Sequence, residues 1–328
     1  MDRSVVAWLV LLAAAAVLPL GLGEFHVHLL TEILILALFA AAFNLLFGYT
    51  GLLSFGQAAY FAVGAYTSAL WLKGPWPSLP LALAVGALLA AAVALVVGYL
   101  CVRRDEIYFA MVTLAFGQLI FVVIWRWREV TGGSDGIGGI PRPPLHLGLA
   151  EVALAPTLHF YYFALAVVAA ALYVLWRITR SPLGLTLQAV RDNARRVDYL
   201  GVPMGRYRLA AFTVSGLFCG LAGALFAPYQ GTITPDLSDW MRSAEAVMMT
   251  LLGGPQVFGG PVLGAALMTL LKDFVASETE YWPLLVGTAV VLLVLFLPGG
   301  VGGALWAMKK QGTGQETAPA RAGAEEAV

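Results

Sequence analysis

The chain has 328 residues, 60% of them hydrophobic and only 12% charged, with 19 basic and 19 acidic side chains in balance and a mean hydropathy of +0.83. A soluble domain carries about a quarter charged residues, so these figures exclude an ordinary soluble enzyme or binding module. The zero net charge gives no bias towards nucleic acid. What remains is an all-α, polytopic transmembrane helical bundle.

A spanning helix needs about 20 apolar residues to cross a hydrocarbon layer about 30 Å thick. Candidate spans are 4–23, 29–47, 52–72, 79–102, 107–125, 159–176, 209–230, 257–271 and 282–303. With broken or re-entrant segments allowed for, the expectation is about 8–10 spans in a single transmembrane domain over 1–303. The first could be read as a secretory signal, but only Arg3 precedes it and no small-x-small cleavage site stands before Glu24, so it is expected to be retained. With the N-terminus inside, Arg103 and Arg104 fall inside and the 126–158 loop outside.

The second and third spans are joined by Asn44-Leu-Leu-Phe-Gly-Tyr-Thr-Gly-Leu-Leu-Ser-Phe-Gly-Gln57 with almost no polar loop. Gly48, Gly51 and Gly56 weaken a helix here, while Asn44, Ser54 and Gln57 can bond the backbone that a break would open. Non-helical backbone at membrane depth persists only where protein or a water-filled cavity covers it. The stretch, with Tyr49 and Phe55, is therefore a candidate lining of a translocation path; close helix packing through small residues is the plainer reading. The external loop Thr131-Gly-Gly-Ser-Asp-Gly-Ile-Gly-Gly-Ile-Pro141 looks like a phosphate cradle, but a nucleotide loop needs Gly-Lys before Ser or Thr and the chain has no Gly-Lys pair. It is expected to be a multi-turn cap or a contact for an external partner.

Residues 177–208 hold seven of the fifteen arginines and only two acids, Asp192 and Asp198. Such charge marks the cytoplasmic side. Leu187, Val190, Ala194, Val197 and Gly201 recur at spacings of three and four, and Ser181-Pro182 and Gly201 with Pro203 bound them, which predicts a helix of about four or five turns. It has Arg191, Arg195 and Arg196 around it. Either it lies on lipid headgroups or it docks a soluble partner. Beyond it, Gly216, Gly220 and Gly223 form a helix-packing stripe. Residues 243–252 are too short to span and run into Gly253-Gly-Pro-Gln-Val-Phe-Gly-Gly-Pro261, the pattern of an entering, broken helix. If 243–254 only dips in, the C-terminal tail lies outside; if it crosses with its neighbours, Lys309 and Lys310 lie inside, as positive charge favours. The tail 304–328 has the composition of a disordered segment.

The interiors of the candidate spans beyond the first are read as uncharged, which argues against proton coupling. His26-x-His28 beside Glu24 is the nearest approach to a metal cluster and reads as interfacial; no metal is expected. Cys101 and Cys219 read as apolar packers. There is no catalytic arrangement to name. Two function classes stay open on these grounds: a transport pathway driven by a soluble partner at the Arg-rich helix, or an integral membrane enzyme acting on lipid.

Asn44 to Tyr66, Val112-Thr-Leu-Ala-Phe-Gly-Gln118, Thr131-Gly-Gly-Ser-Asp-Gly136, Ser181-Pro-Leu-Gly184 leading to Ala189-Val-Arg-Asp-Asn193, Leu221-Ala-Gly-Ala-Leu225, and Leu252-Gly-Gly254 with Gly260-Pro-Val-Leu-Gly-Ala265 occur in this order. Together the chain resembles the LivM-type permeases of branched-chain amino acid ABC importers over roughly residues 30–275. The resemblance implies a multi-pass subunit of a bacterial or archaeal inner membrane, in contact with lipid. It would pair with a second, LivH-type permease, two cytoplasmic ATPase subunits that bind ATP and Mg, and an extracytoplasmic substrate-binding protein. No cofactor is implied on this chain. The Arg-rich segment would be the coupling helix, with Ala189, Arg191, Asp192, Arg195, Arg196, Val197, Asp198, Leu200 and Gly201 facing the ATPase. The family pattern Glu-Ala-Ala, three residues, Gly falls on Arg195-Arg196-Val197, Asp198-Tyr199-Leu200, Gly201, so spacing and glycine are kept and the acid is not. Gln256 stands where members often carry Gly. Gly253, Gly254, Phe258, Gly259 and Gly260 join Asn44, Gly48, Tyr49, Gly51, Ser54, Phe55, Gly56 and Gln57 as path candidates. An uncharged path would suit leucine, isoleucine or valine; urea and short amides are the alternative substrates.

Overall fold

The structure is a computed structural model that describes residues 15–102, 106–147, 150–278, 282–296 and 299–303. Most of the candidate span 4–23 and the tail 304–328 lie outside the described residues, as does Arg103-Arg104. The helices are α1 (Glu24–Thr50), α2 (Gln57–Lys73), α3 (Leu79–Cys101), α4 (Glu106–Arg126), α5 (Thr157–Thr179), α6 (Pro182–Tyr199), α7 (Met204–Gln230), α8 (Trp240–Gly253), α9 (Gly260–Glu278) and α10 (Trp282–Phe296). Five of them, α1, α3, α4, α5 and α7, are long and apolar enough to cross a membrane. The chain is a polytopic helical membrane protein.

Helices α1 and α7 are apolar on all sides and sit at the centre, packed together and against α2, α3 and α5. A helix that buries every face needs no polar stripe, which is why neither shows an amphipathic pattern. Among spans, association rests on close packing rather than on a hydrophobic drive. The glycines achieve it: a Cβ on Gly64 of α2 would overlap the Gly220 carbonyl of α7, and one on Gly223 would overlap the Phe61 carbonyl. Gly216 and Gly220 likewise admit Ala94 and Ala90 of α3, so the stripe read from spacing is a three-helix contact. Aromatic rings fill the larger gaps, with Phe39–Phe61 at 5.0 Å, Phe61–Phe226 at 5.4 Å and Tyr60–Phe212 edge-on at 5.6 Å.

The loop expected outside is a set of tight turns fastened to the C-terminal end of α7. Its strand β1 (Ile137–Gly138) pairs antiparallel with a strand after α7, Thr232–Ile233, and Gly132, Gly133, Gly136 and Gly139 take positive φ in the turns. Lys73 donates to the Gly138 carbonyl at 3.0 Å. Arg142 spans the last turn of α7, donating from Nε to Pro228 O and from Nη2 to Tyr229 O, both at 2.7 Å, with its guanidinium 4.7 Å from the Phe160 ring. A cation on the orphan carbonyls at a helix C-terminus also opposes the dipole there. Burial lowers the Arg142 pKa from its usual value, and a guanidinium still stays charged. A second ribbon, β2 (Leu145–Leu147) with β3 (Ala150–Val152), leads into α5; numbered in chain order, the Thr232–Ile233 strand is β4.

Helix α8 has 14 residues, a rise of about 21 Å and too little to cross alone. Residues 231–239 descend with it, because the turn at Pro255 reaches Asn44 near the inner end of α1. Helix α9 packs back along α8. Gly299–Gly303 then close against Gly253 and Gly254. Residue 303 thus lies at the same end of the bundle as the Pro255 turn; Lys309 and Lys310 lie outside the described residues.

Candidate functional site

The break between α1 and α2 is real, and its open backbone is taken up by Ser54 and by hydroxyls from α4 and α8. Helix α1 ends at Gly51, whose φ of 76° is the left-handed conformation glycine adopts most readily, with Leu52 N bonded back to Leu46 O at 3.1 Å. Residues 51–56 are non-helical. Phe55 N donates to Thr113 Oγ1 of α4 at 3.3 Å, Gly56 N to Ser54 Oγ at 3.3 Å, and Ala58 N, in the first turn of α2, to Ser243 Oγ of α8 at 2.9 Å. Gln57 donates to Ser54 Oγ at 3.4 Å and lies 3.4 Å from Ser215 Oγ and 3.3 Å from Cys219 Sγ through its Oε1. Every one of these groups would be costly to leave open in hydrocarbon.

Asn44 reaches the other candidate stretch directly, donating from Nδ2 to the Pro255 carbonyl at 3.1 Å. Gly48, one turn on, is pressed between Asn44 and the same carbonyl. The two path candidates, 44–57 and 253–260, therefore meet at the inner end of α1. Asn44, Gly48, Ser54, Gly56, Gln57, Gly253, Gly254 and Gly260 are buried, whereas Tyr49, Gly51, Phe55, Phe258 and Gly259 are partly exposed and Gln256 is exposed.

Helix α6 has the predicted start and stop. Pro182 occupies its first turn after Ser181, and Gly201, at φ 74°, follows its end. Gly184, Leu187, Val190 and Val197 turn inward onto α1, α5 and α7, and Ala189, Arg195, Arg196, Asp198 and Gly201 face out. Tyr199 and Leu200 are 88% and 80% exposed. Large apolar side chains so open, flanked by two arginines, are the features of a binding patch. Two properties of α6 escaped the sequence. Asn193 has φ −162° and ψ 92°, so α6 is two helices joined at a kink, and the Asn193 Oδ1 accepts from Arg196 N at 3.0 Å as the cap of the second. Arg191 is turned inward: its Nη1 donates to the Gly48 carbonyl, its stem lies against Gly51, and its Nε and Nη2 hold Asp192 Oδ1 at 3.1 and 3.0 Å. The arginine thus ties α6 to the last turn of α1.

The expectation of an uncharged interior needs correction. Arg242 and Glu245, on the first turns of α8, form an ion pair at 2.7 Å against α2 and α7, and Glu32 of α1 lies 3.4 Å from the Tyr229 hydroxyl near the outer end. Arg242 and Glu245 lie in no candidate span, because 240–245 belongs to no apolar run long enough to count as one, whereas Glu32 stands within the first turn of the span read at 29–47. Among the described residues no cluster of three or more His, Cys, Asp or Glu gathers.

The family described as "Branched-chain amino acid transport system / permease component" matches residues 25–297. The high-affinity branched-chain amino acid transport system permease protein LivM of Escherichia coli is 31% identical over 314 residues, covering 89% of this chain and 73% of that protein. The probable branched-chain amino acid transport permease protein LivH of Methanocaldococcus jannaschii is 24% identical over 84% of this chain and 91% of its own length. The guanosine ABC transporter permease protein NupQ of Bacillus subtilis is 26% identical over 66% of this chain and 71% of its own length. No solved structure gives a significant match. A match of 273 consecutive positions, with the broken helix, the re-entrant α8–α9 pair and the inner Arg-rich helix all inside it, identifies the chain as a member of the branched-chain amino acid transport permease family.

Proposed function

We propose that the chain is a permease subunit of an ABC importer for leucine, isoleucine and valine in a bacterial or archaeal inner membrane, with no catalytic step of its own. It would pair with a LivH-type permease, receive substrate from an extracytoplasmic binding protein, and be driven by two cytoplasmic ATPases that hold ATP and Mg. The observation that carries this reading is the Arg191–Gly48 contact. It supports a mechanical route in which a movement of α6 pulls on the end of α1, and through Asn44 on the Pro255 turn. A ligand or partner shifts such an equilibrium only by contacts that differ between its two states, and the Tyr199–Leu200 end of α6 offers an ATPase a surface for them. In this reading Ala189, Arg195, Arg196, Val197, Asp198, Leu200 and Gly201 form or support that surface, and Arg191 with Asp192 transmits its movement.

The test is purification of the subunit with its partners and ATP-dependent uptake into proteoliposomes, with leucine, isoleucine and valine compared with urea. Uptake of the three amino acids that requires the ATPase supports the function. Uptake of urea in their place, or transport by the lone subunit, contradicts it.

A further inference from the structure

We propose that Arg242 and Glu245, with Lys272 beside them, form a site within the bundle for the charged end of a zwitterionic α-amino acid, the guanidinium taking the carboxylate and Glu245 the ammonium group. The proposal rests on the importer function above and names the residues that would meet the substrate along its path.

The pair is well inside the protein. Ser243, next to Arg242, accepts from Ala58 N in the first turn of α2, and Gln57 beside it contacts Ser215 of α7. On α7 the guanidinium meets Phe226, four residues before the helix ends at Gln230, about 6 Å of helix rise. The Arg242 guanidinium is 5.4 Å from the Phe226 ring and 5.6 Å from the Phe61 ring. Charged side chains at such a position are a poor way to gain stability, since apolar residues of similar volume do as well or better. Within a transmembrane bundle they mark substrate or ion routes by default.

The chemistry fits a zwitterion in particular. Glu245 is held by Arg242 at 2.7 Å through one oxygen and by Lys272 at 3.5 Å through the other. Arg242 Nε is buried with no acceptor, so the guanidinium has a donor edge that a carboxylate would fill bidentately. An arriving amino acid can replace the internal pair without net change of charge: its ammonium takes the place of Arg242 on Glu245, and its carboxylate takes the place of Glu245 on Arg242. The Phe61 and Phe226 rings beside the guanidinium give its aliphatic side chain an apolar wall. The side chains of Arg242 and Glu245 keep 13% and 21% of their surface open, so the pair is not sealed off by its own helices.

The experiment uses the complete importer with its partner subunits and binding protein in proteoliposomes, and reads subunit co-purification, ATP hydrolysis stimulated by leucine-loaded binding protein, and radiolabelled leucine uptake. The double variant Arg242→Met/Glu245→Leu keeps volume and removes both charges. The expected result is normal assembly, ATP hydrolysis close to that of the unaltered importer, and leucine uptake slower by roughly tenfold or more. Uptake at the unaltered rate makes the pair structural and overturns the site. Should the double variant fail to assemble, the near-isosteric Glu245→Gln decides: uptake slowed about fivefold or more, with ATP hydrolysis retained, supports the site, and a smaller change or none overturns it. An unaltered importer that takes up no aliphatic amino acid would instead remove the proposed function, and the site with it.

Discussion

Replacing Arg191 by Met removes the guanidinium and keeps an apolar stem against Gly51. The lost interaction is a charged donor on the Gly48 carbonyl, a type of hydrogen bond that contributes about 1.5–3 kcal/mol. The side chain is 34% exposed, so water recovers part of this and about 1–1.5 kcal/mol is the working figure. If the contact is made in one access state and broken in the other, that amount shifts the equilibrium between them by about five- to tenfold. In proteoliposomes carrying the assembled importer, ATP hydrolysis should stay near its normal rate while leucine uptake per ATP falls by roughly that factor. Arg191→Lys, which keeps a charged donor of similar reach, should fall between the two. Unaltered uptake per ATP in Arg191→Met would refute the transmission route, whereas loss of ATP hydrolysis together with uptake would place Arg191 at the ATPase surface instead.

Three further outcomes follow from contacts elsewhere. Asn193→Ala removes the cap of the second part of α6 at a cost of about 0.5–2 kcal/mol; amide exchange over 194–199 should accelerate with the first part of α6 unchanged, and equal rates throughout would mean that the kink bears no cap. Gly64→Val puts a branched side chain into the Gly220 backbone, so the subunit should fail to accumulate in the membrane, and normal yield would contradict the close crossing of α2 and α7. Arg142→Ala frees the outer loop from the end of α7; proteolysis from the external face should then cut within 137–147, and unchanged resistance would show that the β1–β4 pairing alone holds the loop.

Much of the fold follows from local pattern. The apolar runs give the long spans, Ser181-Pro182 and Gly201 bound α6, and the spacing of Gly216, Gly220 and Gly223 marks the face that α2 and α3 approach. Signals that depend on distant partners were silent. Nothing near Arg191 in sequence distinguishes it from Arg195 and Arg196, because its acceptor is 143 residues away. The kink at Asn193 is hidden by an apolar period that continues across it. Residues 231–239 hold only the β4 strand and a four-residue 3-10 turn, Pro235–Ser238, with no apolar run, so the placement of Arg242 and Glu245 is visible only once Ser243 is found against Ala58. Asn44, Ser54 and Gln57 were singled out correctly as polar groups at a break. Two of their partners, Pro255 for Asn44 and Ser215 for Gln57, had to come from the folded chain.

Everything rests on α6 standing at the inner face with its Tyr199–Leu200 end against an ATPase. Cys101 and Cys219 are buried, so a Tyr199→Cys variant offers one open thiol to a membrane-impermeant maleimide. Labelling should occur in inverted vesicles and not in right-side-out ones, and bound ATPase subunits should protect the thiol. Labelling from the outer side, or equal labelling with and without the ATPase, would contradict it.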